Sequence, residues 1–151
     1  MKKFFATFFV IVIVGIFGCA ITGLVADNIK AQNIEKELAD VELPTGTTMV
    51  TSISRVGRLT VPNGPIQFYG AVLLQSNESA GELLSSFQSK YKGDLDYKLI
   101  PLEEAPEEFG TDFPKDLRFN YHDSAPKGYY MVYAFADGDD PFLYMDYRYY
   151  F

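Results

Sequence analysis

The chain has 151 residues, 48% of them hydrophobic and 16% aromatic; that much apolar surface offsets the entropy of ordering and excludes a disordered chain. Of its 13 basic residues two are Lys2 and Lys3, while all 20 acidic residues lie from Asp27 onward, so the formal charge of −7 becomes −9 once the first three residues are set aside. A surface that acidic repels phosphate backbones and argues against a nucleic-acid partner, and the lone Cys19 excludes an intramolecular disulfide or a cysteine-built zinc module.

From Phe4 to Ala26 the chain carries no charge and only Thr7 and Thr22 as polar interruptions. As a helix this segment is about 35 Å long, enough to cross a hydrocarbon layer of roughly 30 Å with some tilt. Lys2 and Lys3 before it and Asp27 after it place the N-terminus in the cytoplasm and the remainder outside. The reading is therefore an integral, single-pass membrane protein, with a cytoplasmic tip at 1–3 and a signal-anchor at 4–26. Two processing routes compete with an uncleaved anchor. Ile16-Phe17-Gly18-Cys19 resembles a bacterial lipobox, which makes Cys19 a candidate lipidation site, although Phe17 is large for its place and Ala20 to Ala26 stays apolar. Cleavage by a general signal peptidase is disfavoured by the length of the apolar core and by Leu24 before Ala26. Gly15, Cys19 and Gly23 recur every fourth residue, a spacing that lets two membrane helices approach and marks a candidate homodimer face.

Residues 27–46 read as a stalk helix and linker: Ile29, Ile34, Leu38 and Val41 form an irregular helical stripe among interleaved charges, ended by Pro44 and Gly46. An extracytoplasmic α+β domain is expected over 47–151. Thr47 to Val61 is threonine- and β-branched-rich, a strand interrupted at Gly57 with Met49, Ile53, Leu59 and Val61 in phase. Pro62-Asn63-Gly64-Pro65 makes a turn, and Ile66 to Gln75 a second strand with Ile66, Phe68, Val72 and Leu74 on one face. Ser79 and Glu82 form a capping box, and Ala80, Leu83, Leu84, Phe87 and Tyr91 repeat at helical spacing up to a C-cap at Gly93. This helix needs a sheet to cover its single apolar face.

Leu95 to Ile100 reads as a strand, Pro101 to Asp116 as an acidic loop, and the alternating segments Leu117 to Tyr121, Tyr129 to Ala136 and Phe142 to Phe151 as an antiparallel meander. The expected architecture is thus α+β: an N-terminal transmembrane helix plus stalk helix, then a mainly antiparallel sheet of about five or six strands packed on one amphipathic helix.

Chemistry-bearing patterns are sparse. His122 stands alone at a strand end without a nucleophile elbow, the glycines lack phosphate-loop spacing, and Asp137-Gly138-Asp139-Asp140 lacks the spaced ligands of a calcium loop, so no catalytic, cofactor-binding or metal site is expected. The loop carboxylates Glu103, Glu104, Glu107, Glu108, Asp112 and Asp116 are the raw material for a rival reading, a small extracytoplasmic hydrolase. Tyrosines crowd the last third on both strand parities, which points to an aromatic sheet face around Tyr130, Tyr144 and Tyr150 facing a partner. The plan of a short anchor followed by one small α+β domain looks like that of many proteins of Gram-positive bacteria. The expectation is a non-enzymatic, membrane-tethered interaction module binding a protein or cell-wall component, with a lipoprotein-type surface protein as an alternative.

Overall fold

A computed structural model describes residues 2–57, 66–105 and 127–138. The elements are α1 (Lys2–Ala39), β1 (Thr47–Gly57), β2 (Gln67–Ser76), α2 (Ala80–Lys90), β3 (Tyr97–Pro101), a 3-10 turn at Leu102–Glu104, and β4 (Tyr129–Asp137). The protein is α+β. Its four described strands form one sheet in the order β1-β2-β4-β3, with every pairing antiparallel. Because β4 runs against both of its neighbours, β2 and β3 are parallel to each other and α2 is the crossover between them, a split βαβ unit with β4 filling the gap. The strands expected over 117–121 and 142–151 lie outside the described residues.

The 38 residues of α1 form one uninterrupted helix, so the expected anchor and stalk share a single axis. Over the described residues no helix is long and apolar enough to cross a membrane; side chains 4–8, 10, 13–21, 23 and 24, most of the expected span, lie outside them. The segment expected to stand off as a stalk does not. Ala31, Ile34, Leu38 and Val41 are buried in one cluster with Phe68, Val72 and Leu74 of β2 and Leu83 and Phe87 of α2. Its charges make contacts as well: Glu35 accepts a short hydrogen bond from the Ser52 hydroxyl on β1, and Lys30 Nζ lies 5.3 Å from the Phe68 ring centroid. Ile29, five residues before Ile34 rather than three or four, falls off the buried stripe and is 49% exposed. The helix ends at Ala39, before the proline, and the Thr47 amide closes the turn on the Pro44 carbonyl at 3.1 Å with Gly46 at φ +85°.

Gly70 explains how α1 can lie so close. It occupies the helix-facing parity of β2 between Phe68 and Val72, and a Cβ there would stand 2.7 Å from Ile34 Cγ2 and 2.8 Å from the Ile34 carbonyl carbon. Only glycine leaves room for the helix backbone at that point.

The β2 face assignment agrees with the expected one: Ile66, Phe68, Val72 and Leu74 all belong to the helix-side cluster. The β1 phase does not. Met49 pairs with Leu74, but the register shifts before Thr51 pairs with Leu73, so an extra residue, Val50, bulges out. Paired residues share a sheet face, so Met49 turns to the helix side while Ile53, opposite Ala71, turns to the other. Period-two phasing fails across a bulge.

On α2 the capping box is formed: the Glu82 amide bonds Ser79 Oγ at 3.5 Å, and the Ser79 amide donates to Glu82 Oε2 at 3.0 Å. The Ser79 hydroxyl, which donates to Glu82 Oε2 at 2.7 Å, and the Ser79 amide together hold the Glu82 carboxyl below its usual range. Ser79→Ala removes the acceptor for the first-turn amide and is expected to cost about 1 kcal/mol, read as a lower denaturation midpoint with an unchanged slope. The helix ends earlier than its sequence suggests. Tyr91 is the C-cap in extended conformation, and Gly93 plays another part, described below. Leu83 and Phe87 are fully buried, and the Phe87 ring meets Tyr97 of β3 edge-on at 5.1 Å.

Both central strands are buried on both faces. Away from the helices, Tyr69, Ala71 and Leu73 of β2 and Met131 and Tyr133 of β4 form a second cluster with Leu102 and Ala105. Tyr69 lies 4.9 Å from Phe135 and 6.3 Å from Tyr133, ring centre to ring centre.

Candidate functional site

Tyr130, expected to help form an exposed binding face, is buried. Its position in β4 opposite Leu74 turns it toward the helices, and its hydroxyl donates to the Glu78 carbonyl at 2.7 Å, tying β4 to the turn before α2. The tyrosines of the opposite parity are no freer: Tyr133 is buried and Tyr129 half-buried in the second cluster. Over these residues both faces of the sheet are packed, the second by Leu102 and Ala105. Tyr144 and Tyr150 lie outside the described residues, as do His122, Glu107, Glu108, Asp112 and Asp116. The backbone of Gly15, Cys19 and Gly23 is helical within α1, but their side chains and environment lie outside the described residues. Glu103 and Glu104 are exposed on the 3-10 turn. Asp137 accepts a hydrogen bond from Gln67 Nε2 at 3.1 Å, and Asp139 and Asp140 lie outside the described residues. Among the described residues no three His, Cys, Asp or Glu side chains gather as a metal site.

Two features stand out, of which the sequence announced only the second. The first is a cleft of about 480 Å³ where the C-terminal ends of α1 and α2 meet, lined by Glu37, Asp40, Val41 and Glu42 on one side and Ser89 to Gly93 on the other. Its floor is a hydrogen-bond relay: Tyr91 Oη donates to Glu37 Oε1 at 2.5 Å and accepts from the Leu95 amide at 2.9 Å. Gly93 permits this, because a Cβ at that position would collide with the Glu37 carboxylate and stand 2.7 Å from Tyr91 Cζ. Lys90 pairs with Glu42 across the rim at 3.2 Å, an exposed ion pair of small energetic weight.

Burial, the hydrogen bond to Glu37 and the nearby carboxylate charge push the Tyr91 hydroxyl up to about 12 from its usual value of 10.0. Burial alone raises Tyr97 and Tyr69 in the same direction. A raised folded-state value favours the neutral phenol, so the stability it carries is complete below pH 10 and is lost as pH climbs toward 12. The expected result is a fall in the urea midpoint that begins near pH 10, and Tyr91→Phe should make that fall shallower. The relay orders the α1 end against α2.

The second feature is apolar. The large hydrophobic side chains most exposed among the described residues are Phe9, Ile11, Val12, Val25 and Ile29 on α1 and Met49 and Val50 on β1. On α1 they begin in the expected anchor and run past Asp27, which is itself buried. The same helix also exposes Thr22, Asn28, Lys30, Gln32, Asn33 and Lys36. Comparison with protein families, with curated proteins and with solved structures yields no match.

Proposed function

We propose that the chain is a single-pass, membrane-tethered interaction module whose α1 crosses a bilayer over residues 4–26 and holds the α+β domain on the extracytoplasmic side, where it binds a protein or cell-wall component without catalysing a reaction. The observation that carries this reading is the exposure of the apolar side chains Phe9, Ile11, Val12 and Val25 on a continuous helix whose 4–26 segment has no charge. Hydrocarbon is the environment in which those side chains are stable without a protein partner. The lysines at positions 2 and 3 favour an N-terminus in the cytoplasm. Tyr130, packed inside, is not available to a partner; among the described residues the domain exposes the apolar Met49 and Val50 at the β1 bulge.

Expressed in full length, the protein should stay with the membrane pellet after alkaline carbonate extraction and be cut by external protease in intact cells. Release by carbonate, or protection from external protease with cleavage only after lysis, would refute the reading.

A further inference from the structure

Contacts along α1 fix how the sheet stands with respect to the helix axis. Lys30 meets Phe68, Ile34 and Glu35 lie over Gly70, and Glu35 reaches Ser52, which pairs with Val72. The helix therefore runs in the direction of β2. The sheet row Gly57, Gln67 and Asp137 lies at the end facing the apolar part of α1, and the row Thr47 and Ser76 lies at the far end. Lys30 is four residues beyond Ala26, which is about 6 Å along a helix. A headgroup layer is about 5–8 Å deep on each side of the hydrocarbon. No flexible joint separates the two regions, since α1 is helical from Lys2 to Ala39 and Asp27 is already buried.

Two side-chain patterns fit this level. The outward helix face stays apolar through Val25 and Ile29, 52% and 49% exposed, beyond the point where the charge-free segment stops. In a domain with a balance of −9, Lys30 and Arg55 both fall at this end, Arg55 exposed on β1 two residues before Gly57. Basic side chains with long apolar stems beside an apolar helix face suit the boundary between acyl chains and phosphates.

Resting on the proposed membrane span, we infer that the sheet end bearing Gly57, Gln67 and Asp137, together with Lys30, Arg55 and the outward face at Ile29, is a lipid-contact surface seated in the headgroup layer of the bilayer that α1 crosses. The domain is thereby held at a fixed tilt and height, and it is the far row at Thr47 and Ser76, about 30 Å away at the strand rise, that projects toward partners.

The test uses the full chain in nanodiscs of phosphatidylcholine and phosphatidylglycerol, with Cys19→Ser as background and single fluorophores on V12C, D137C and T48C, all three positions being exposed. Quenchers are lipids carrying a nitroxide on the acyl chain or on the headgroup. The inference expects the Val12 position to be quenched from the acyl chain, and the Asp137 position to be quenched from the headgroup several-fold more strongly than Thr48. If Val12 is quenched but Asp137 and Thr48 are equally untouched, the lipid-contact surface is overturned while the anchor stands. If Val12 is not quenched from the acyl chain, the anchor falls and the surface falls with it.

Discussion

Replacing Leu38 by alanine is expected to destabilise the domain by about 3 kcal/mol, inside the roughly 2–5 kcal/mol span of buried leucine truncations. Leu38 is 1% exposed and packs in the cluster shared by α1, α2 and the sheet. Its removal leaves a void that a rigid helix over a rigid sheet fills poorly, and the loss of contacts adds to the lost transfer energy. A leucine on a free-standing stalk would behave otherwise, and its truncation would change stability by no more than about 0.5 kcal/mol. Urea denaturation of the full chain in nanodiscs, followed by near-ultraviolet circular dichroism of the tyrosines, separates the two. A shift in midpoint corresponding to a few kcal/mol places residues 27–39 inside the folding unit, and no shift returns them to the role of linker.

Gly70→Ala should be of comparable size and opposite in mechanism. The added methyl would press on the Ile34 backbone and Cγ2, so either α1 lifts away or β2 is displaced, at a cost of about 3 kcal/mol, the upper part of the usual range for overpacking. The contrast is Gly81→Ala in the first turn of α2, where nothing lies within 4 Å of the new Cβ. There the substitution should stabilise by about 0.5 kcal/mol through reduced freedom of the unfolded chain. If both substitutions have the same sign, the close approach of helix and sheet at Gly70 is not as described.

Local signals in the sequence were faithful where one side chain and its near neighbours decide the outcome. The Ser79–Glu82 box, the Leu83–Phe87 face of α2 and the phase of β2 depend on contacts a few residues apart or on a single periodicity. What was not legible depended on partners distant in the chain. Ile34 and Leu38 looked like a sparse stripe because the residue that accommodates them is Gly70, and a glycine carries no hydrophobic mark. The charges between them suggested solvent, yet Glu35 and Glu37 serve Ser52 and Tyr91 from other elements. Gly93 looked like a helix cap because it follows Lys90 and Lys92; its actual role, room for the Tyr91–Glu37 hydrogen bond, appears only once α1 lies alongside. The bulge at Val50 is invisible to period-two phasing, since one extra residue reverses every assignment beyond it.

Tyr130 shows the same limit for function. Strand parity indicates which side a ring faces but not how many layers the fold stacks there, and a sheet covered on both sides turns an apparent recognition face into core. The uncharged run over 4–26 is read directly from the sequence, and the bilayer is what it leads us to propose.

Amide hydrogen exchange along α1 in the full chain reconstituted in nanodiscs tests most directly the claim that one helix joins bilayer and domain core. The account predicts unbroken protection from residue 5 through Leu38, with Asp27 to Lys30 as slow as the residues on either side; a rapidly exchanging window between Ala26 and Ala31 would contradict it, for the domain would then hang from a flexible tether.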